Sequence, residues 1–276
     1  MNRSHIDGSP RSRGWCLGIL AAGGVALAGA FAAMSAHAAA PPAELSTPKT
    51  GQSEAPVDLT GYWVSVITQD WRFRMAVPGK GEYGGIPINE RSKAAADAFD
   101  GDKEEKAGNA CDAYGAGLVM RNPERIHITW ADPDTLKVET DAGQQVRLLH
   151  FGPPAQGPIQ SSRQGNSTAA WRIHQRAVFF GPPIVDPSGK RYGYLQVKTD
   201  NLLPGLLRKN GVPYGSQASM NEYWEVQAMP NGSQLLLISA LFEDPEYLTD
   251  PYLFNPIFMK EPDGSKWSPS PCSLRW

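Results

Sequence analysis

The chain of 276 residues has little cysteine, little histidine and no excess of basic charge. It carries three Cys, five His, and 26 Lys and Arg against 28 Asp and Glu, a formal charge of −2. No basic stripe is available to neutralise a phosphate backbone, so nucleic acid is not an expected partner. No phosphate loop and no dinucleotide fingerprint is present. Gly165-Asn166-Ser167 fails as a nucleophile elbow because Ala169 stands where the second glycine of that pattern is required. His127, His150 and His174 fall on three different candidate strands and form no H-x-H or H-E-x-x-H pair. Three imidazoles from neighbouring strands suit zinc in principle, but without a close pair no metal and no cofactor is expected. There is no internal repeat.

One long uncharged run exists, and its position gives it meaning. Arg3, Arg11 and Arg13 precede Trp15 to Met34, which holds no charge, and Ala36-His37-Ala38 follows. A basic start, an apolar middle and an A-x-A exit are the three parts of a secretory signal. A membrane anchor of about 20 residues is the alternative, but Gly and Ala dominate the run and it leads directly into the cleavage pattern. The expected organisation is a signal peptide over 1–38, a disordered leader over 39–56, and one domain over 57–276. The leader is Pro-, Ser- and Ala-rich and has too little apolar surface to offset its ordering entropy. Cleavage near Ala38 places the mature chain in the periplasm or outside the cell, with no stable membrane span left. Loss of Arg3, Arg11, Arg13 and Asp7 takes the formal charge from −2 to −4. Cys111 and Cys272 are then the only cysteines, and in an oxidising compartment two cysteines most often pair. Two free thiols are the alternative.

The domain reads as mainly β. Gly61 to Thr68 is dense in aromatic and β-branched residues and predicts a strand. Trp71-Arg72-Phe73-Arg74-Met75 alternates, which predicts a second strand with the arginines on one face. A helix is expected after Asn89, a suitable N-cap, with Ala94, Ala95, Ala98 and Phe99 at helical spacing and the charged run 100–106 as its solvated end. Strands follow over 126–130, 136–140, 146–151, 171–174, 192–199, 220–226, 235–242 and 252–259, and Asp141-Ala142-Gly143 marks a hairpin. Ala177 to Phe180 is a further apolar run. Leu235-Leu236-Leu237-Ile238 is apolar on both faces and predicts a central strand. Many short strands separated by turns predict an antiparallel lipocalin-like barrel with one helical insertion, or alternatively a β-sandwich.

Gly61-Tyr62-Trp63 is similar to the G-x-W opening of lipocalins and other calycins, in which the Trp closes one end of an up-and-down barrel. This chain departs from that pattern in its early helix, its long loops and its length. A broader resemblance rests on Asp58 to Val66, Ile126-His127-Ile128-Thr129-Trp130, Glu139 to Gly143 with Arg147, Lys209-Asn210-Gly211-Val212-Pro213-Tyr214, Glu243 to Leu248 and Lys260 to Trp267. In these segments the chain resembles a large family of uncharacterised secreted bacterial proteins with a β-barrel-like domain. The resemblance implies export and a barrel, and carries no mechanism. Extra residues between Trp171 and Leu195 depart from that family.

On a strand, Glu222 shares its face with Met220, Trp224 and Val226. A carboxylate facing a core must be paired or protonated, and Arg72, Arg74 and Arg147 are its candidate partners. Either it is a structural ion pair, or it is a general base or ligand anchor. Asp244 closes the most apolar strand and is the second candidate base, with an Asx-type turn before Pro245 as the alternative. Trp63, Trp71, Trp130, Trp224 and Tyr223 offer aromatic faces that line a pocket or simply fill the core. The leading expectation is a barrel holding a small hydrophobic or aromatic molecule, with Arg72, Arg74, Arg147 and Glu222 as polar contacts. The alternatives are a periplasmic isomerase, lyase or hydrolase using Glu222 or Asp244, and a structural or partner-binding envelope protein.

Overall fold

The computed structural model describes residues 49–153, 160–174 and 192–275. The signal segment and the apolar run at Ala177 to Phe180 lie outside the described residues. Twelve strands form among them: β1 (Gly61–Val66), β2 (Arg125–Asp132), β3 (Thr135–Thr140), β4 (Val146–Phe151), β5 (Asn166–His174), β6 (Tyr192–Asp200), β7 (Gly205–Arg208), β8 (Val212–Tyr214), β9 (Ser219–Ala228), β10 (Gln234–Glu243), β11 (Tyr252–Phe254) and β12 (Ile257–Lys260).

Nine of them close a barrel in the order β10-β12-β1-β2-β3-β4-β5-β6-β9 and back to β10. A lipocalin-like barrel would be antiparallel throughout. Here β4 and β5 run parallel, with Leu149 opposite Ser167, so the barrel is mixed. The segment read as one strand over 252–259 is broken in two. Pro256 lacks an N–H to donate, yet its carbonyl accepts from Ile238 N at 3.0 Å, so β11 and β12 both follow the same edge of β10. The expected hairpin at Asp141-Ala142-Gly143 joins β3 to β4, with Gly143 at φ 75° where an L side chain is strained.

Strand alternation places the core. Trp63, Ile126, Ile128, Leu136, Leu149, Leu195, Trp224, Ile238 and Phe258 point inward, are essentially inaccessible to solvent and pack together. Each buried aliphatic side chain contributes about 1.5–3 kcal/mol against the entropy of folding. Leu236 is buried in β10, while Leu235 and Leu237 on its outer face are half-buried, so that strand is central but not covered on both sides.

The helical insertion lies wholly between β1 and β2, and holds four short helices rather than one: α1 (Trp71–Met75), α2 (Glu90–Ala98), α3 (Gly101–Ala107) and α4 (Ala116–Val119), with a 3-10 turn at Ala110–Tyr114. Asn89 caps α2 as expected, accepting from Ser92 N at 2.9 Å. The charged run forms its own helix, α3, because Asp100 accepts from Lys103 N and starts a new turn. The 71–75 segment is a correction: it is helical, not extended. The carbonyl of Asp70 accepts from Phe73 N and Arg74 N. Trp71 and Met75 are four apart, so they share a helical face as well as a strand face, and that face looks into solvent.

The insertion packs on the β7–β8 hairpin. Together they lay Ala96, Ala116, Leu207, Val212 and Tyr214 against Met220, Ala240 and Phe242 at one end of the barrel. Part of the expected disordered leader is also folded. Gly51 N donates to Asp134 Oδ1 at 2.6 Å and Trp171 Nε1 donates to Gly51 O at 2.7 Å, which fastens 49–56 to the barrel. Cys111 and Cys272 form a disulfide that ties the 3-10 turn to the C-terminal segment.

Candidate functional site

Glu222 does face the barrel interior, and Arg147 is its partner. Arg147 Nη2 donates to Glu222 Oε2 at 2.6 Å and Nη1 to Oε1 at 3.2 Å. Thr199 Oγ1 lies 3.5 Å from Arg147 Nη2 and 2.8 Å from Ser167 Oγ. The four residues come from β4, β5, β6 and β9 and form a polar layer. Val197, Trp224 and Ile238 belong to the apolar cluster on one side of it; Met220 and Phe242 belong to the cluster on the other. The bidentate geometry engages both oxygens of the Glu222 carboxylate.

The other expected polar contacts are not in this layer. Arg72 is exposed and pairs with Glu82. Arg74 is buried but turns away from Glu222: its Nε donates to Arg121 O at 2.7 Å, and its Nη2 reaches Ser65 Oγ at 3.4 Å. Both differences follow from α1 being a helix outside the barrel. Asp244 is buried and accepts from Gly215 N at 2.8 Å and Glu246 N at 2.9 Å, so it caps a turn. Trp63 and Trp224 are core, and Trp130 packs at the barrel end against Phe151. Trp71, at 69 % exposure, and Tyr223, at 40 %, face outward. His127 stacks on Tyr62 with ring centroids 4.0 Å apart, and His150 Nδ1 lies 3.2 Å from Thr135 Oγ1.

Of the aromatic lining expected for a hollow barrel, Trp63, Trp130 and Trp224 pack into the core cluster and Trp71 and Tyr223 lie outside it. Open space lies instead beside the insertion. A cleft of about 830 Å3 has Met75, Val77, Pro78, Phe99 and Leu274 as apolar walls, and Lys80, Asp100, Asp102, Lys209, Asn210 and Arg275 also line it. The hairpin turn Lys209-Asn210-Gly211 sets this edge. Gly211 has φ 94°, and an added Cβ there would sit 2.3 Å from Phe99, so the turn and the cleft wall fit only with glycine.

Lys209 is 5 % exposed. Its Nζ donates to Tyr114 Oη at 3.1 Å and stands 5.0 Å from that ring centroid. Burial pulls the ammonium down to about 8, with the carboxyls of Glu124 and Glu105 opposing. Glu124, just before β2, is more unusual. It is buried, neither carboxyl oxygen has a hydrogen-bond partner within the protein, and burial reinforced by Asp141 pushes it well above the usual carboxylate range. Lys209 and Arg74 act on it in the opposite sense.

Beside Lys209 stand three more buried cations, Arg74, Arg121 and Arg208. Sequence reasoning missed Arg121, Arg208, Lys209 and Glu124. All four lie in turns, short hairpins or loops, where no periodicity marks which side chains turn inward. The one available signal was the Asn210-Gly211 turn after two consecutive basic residues.

Fold and site together define a closed, mixed β-barrel with a buried ion-pair layer, a cleft of mixed lining beside a helical insertion, and a small space lined by four buried cations. Comparison with family models, with curated proteins and with solved structures finds no match for this chain.

Proposed function

We propose that this is an exported binding protein for a small amphipathic anion, with the apolar body of the ligand in the cleft between the insertion and the C-terminal segment and its acidic head on Lys209. The observation that carries the reading is a largely buried lysine lining a cleft of about 830 Å3, whose walls combine the apolar Met75, Val77, Pro78, Phe99 and Leu274 with Lys80, Arg275, Asp100 and Asp102. Pockets of this kind take drug-sized molecules on apolar surface and orient them with a few polar groups. The depressed ammonium gains from an incoming carboxylate, because a negative charge close by restores the protonated form. The ligand expected inside the barrel thus moves outside it, since Trp63, Trp224 and their neighbours occupy the interior. Glu222 and Asp244 are buried and each already accepts two hydrogen bonds within the protein, which weighs against an enzyme using either as a base.

The test is a thermal-shift titration with decanoate, laurate and indole-3-acetate, each set beside its uncharged alcohol. The acids are expected to raise the melting temperature and the alcohols to do so far less. Lys209→Met should abolish the difference between acid and alcohol, and Ala98→Trp should block both by filling the cleft. Identical shifts in wild type and Ala98→Trp, or no shift with any of the acids, would overturn the proposal.

A further inference from the structure

Arg74, Arg121, Arg208 and Lys209 are 5 %, 5 %, 3 % and 5 % exposed and line one small enclosed space together with Phe73, Leu118, Asn122 and Leu207. Four cations in one buried spot repel. Arg121 acts on both Arg74 and Arg208 in this sense, and burial and that repulsion bring each of the two down to about 10.

Direct compensation is sparse. Asp70 Oδ2 lies 3.0 Å from Arg121 Nη2, and Asp70 holds a left-handed conformation at φ 53°. Glu82 is engaged by Arg72 and by Gly79 N, and acts on Arg208 from a distance. Glu124 is held toward its neutral form. The remaining partners of the guanidinium groups are carbonyls, hydroxyls and rings. Arg208 Nη1 donates to Glu82 O at 3.2 Å and Gly84 O at 3.0 Å, with its guanidinium 4.4 Å from the Phe73 centroid. Arg121 donates to Tyr252 Oη.

Two residues that line this space, each 3 % exposed, carry a donor with no partner within the protein: Arg208 through Nη2 and Asn122 through Nδ2. A buried donor left unsatisfied has lost its hydration with nothing in return, so such a group calls for a guest. The space amounts to about 10 Å3, room for one water-sized body and too little for a phosphate or a carboxylate. A water would accept from both donors but must also point its own protons at walls dominated by cations. A monatomic anion only accepts, and it cancels charge as well.

We propose that this space is a binding site for a single halide, chloride in the usual surroundings of the protein, held by Arg208 Nη2 and Asn122 Nδ2 within the field of Arg74, Arg121 and Lys209. The site joins the α1 helix, the turn before β2 and the β7–β8 hairpin, so the ion acts as a structural centre for the insertion. The proposal is independent of the cleft ligand, because the halide is assayed without any amphipathic acid present.

Crystals of the purified protein soaked in sodium bromide and measured at the bromine edge provide the test. The expected result is an anomalous peak inside the space, within hydrogen-bond distance of Arg208 and Asn122. Bromide peaks confined to the surface, with only water inside, would overturn the assignment. In solution, melting temperature should rise with added sodium chloride or bromide relative to sodium gluconate at equal ionic strength. At a halide concentration 100 times the dissociation constant, the unfolding equilibrium constant should fall about 100-fold. Asn122→Leu, which removes one donor and fills the space, should lose this halide dependence. Equal melting in all three salts for the wild type would also overturn the proposal, whether or not the variant folds.

Discussion

Arg147 and Glu222 meet inside the barrel through two hydrogen bonds, at 2.6 and 3.2 Å, with neither side chain open to solvent. Strands β4 and β9 are not neighbours in the sheet, so the pair spans the interior rather than running along the wall. Each strand supplies one ionic group at an inward position otherwise reserved for hydrocarbon. Only the closure of the barrel brings the two to hydrogen-bonding distance. The guanidinium Nε is left without a protein partner, so the pair is strong but not complete.

Removing one member should therefore be far worse than removing both. Glu222→Leu alone strands a buried guanidinium and is expected to cost about 3–5 kcal/mol, and Arg147→Met alone strands the carboxylate. The double replacement Arg147→Met with Glu222→Leu should cost much less than the sum of the single changes, because an apolar pair fills similar volume without desolvated charge. Urea denaturation of the four proteins in a cycle measures this. Additive costs would show that the pair contributes nothing as a pair.

Glu124 should make stability depend on pH in a sense opposite to most carboxylates. Its folded-state affinity for a proton is raised by burial and by Asp141. Between the unfolded value near 4.5 and the raised folded value, the folded chain holds a proton that the unfolded chain has released. Stability from this group is then full below about 4.5 and falls as pH rises. Glu124→Gln removes that fall. The variant is expected to melt above the wild type at pH 7, and the gap should close as pH is brought down to about 4.5. Melting curves across that range check it; a constant gap, or a gap widest at low pH, would show Glu124 to be ionised in the folded protein.

The disulfide closes a loop with a sequence separation of 161 between Cys111 and Cys272. Loops of this length give up to about 5 kcal/mol through restriction of the unfolded chain. Reduction, or Cys111→Ala with Cys272→Ala, should lower the melting temperature. It should also loosen the segment that carries Leu274 and Arg275 along the cleft. Hydrogen exchange at Ser273 and Leu274, whose amides donate to Tyr114 Oη and Glu105 Oε2, should speed up more than exchange in β9 or β10. Equal acceleration everywhere would mean that the link acts only through global stability.

Inward alternation was legible wherever a strand was long enough to repeat it. The Met220, Glu222 and Trp224 face of β9 and the Ile126 and Ile128 face of β2 are both inward as their spacing predicts. The five residues 71–75 were not legible, since one helical turn and a short strand place Trp71 and Met75 on the same side. Arg147 was one of three possible partners for Glu222, and β4 itself offered no means of choosing among them.

Local chemistry alone determined that this chain would be built from short strands, that Asn89 would start a helix, that Asp141 to Gly143 would turn, and that one carboxylate would sit among apolar neighbours. These follow from side-chain period, capping and backbone freedom, which act over a few residues. Tertiary structure decided which arginine meets Glu222, that the barrel closes with one parallel pair, and that Arg74, Arg121, Arg208 and Lys209 converge. Those outcomes depend on contacts between segments far apart in the chain, and neither burial nor the mutual field of distant charges has any signature in local spacing.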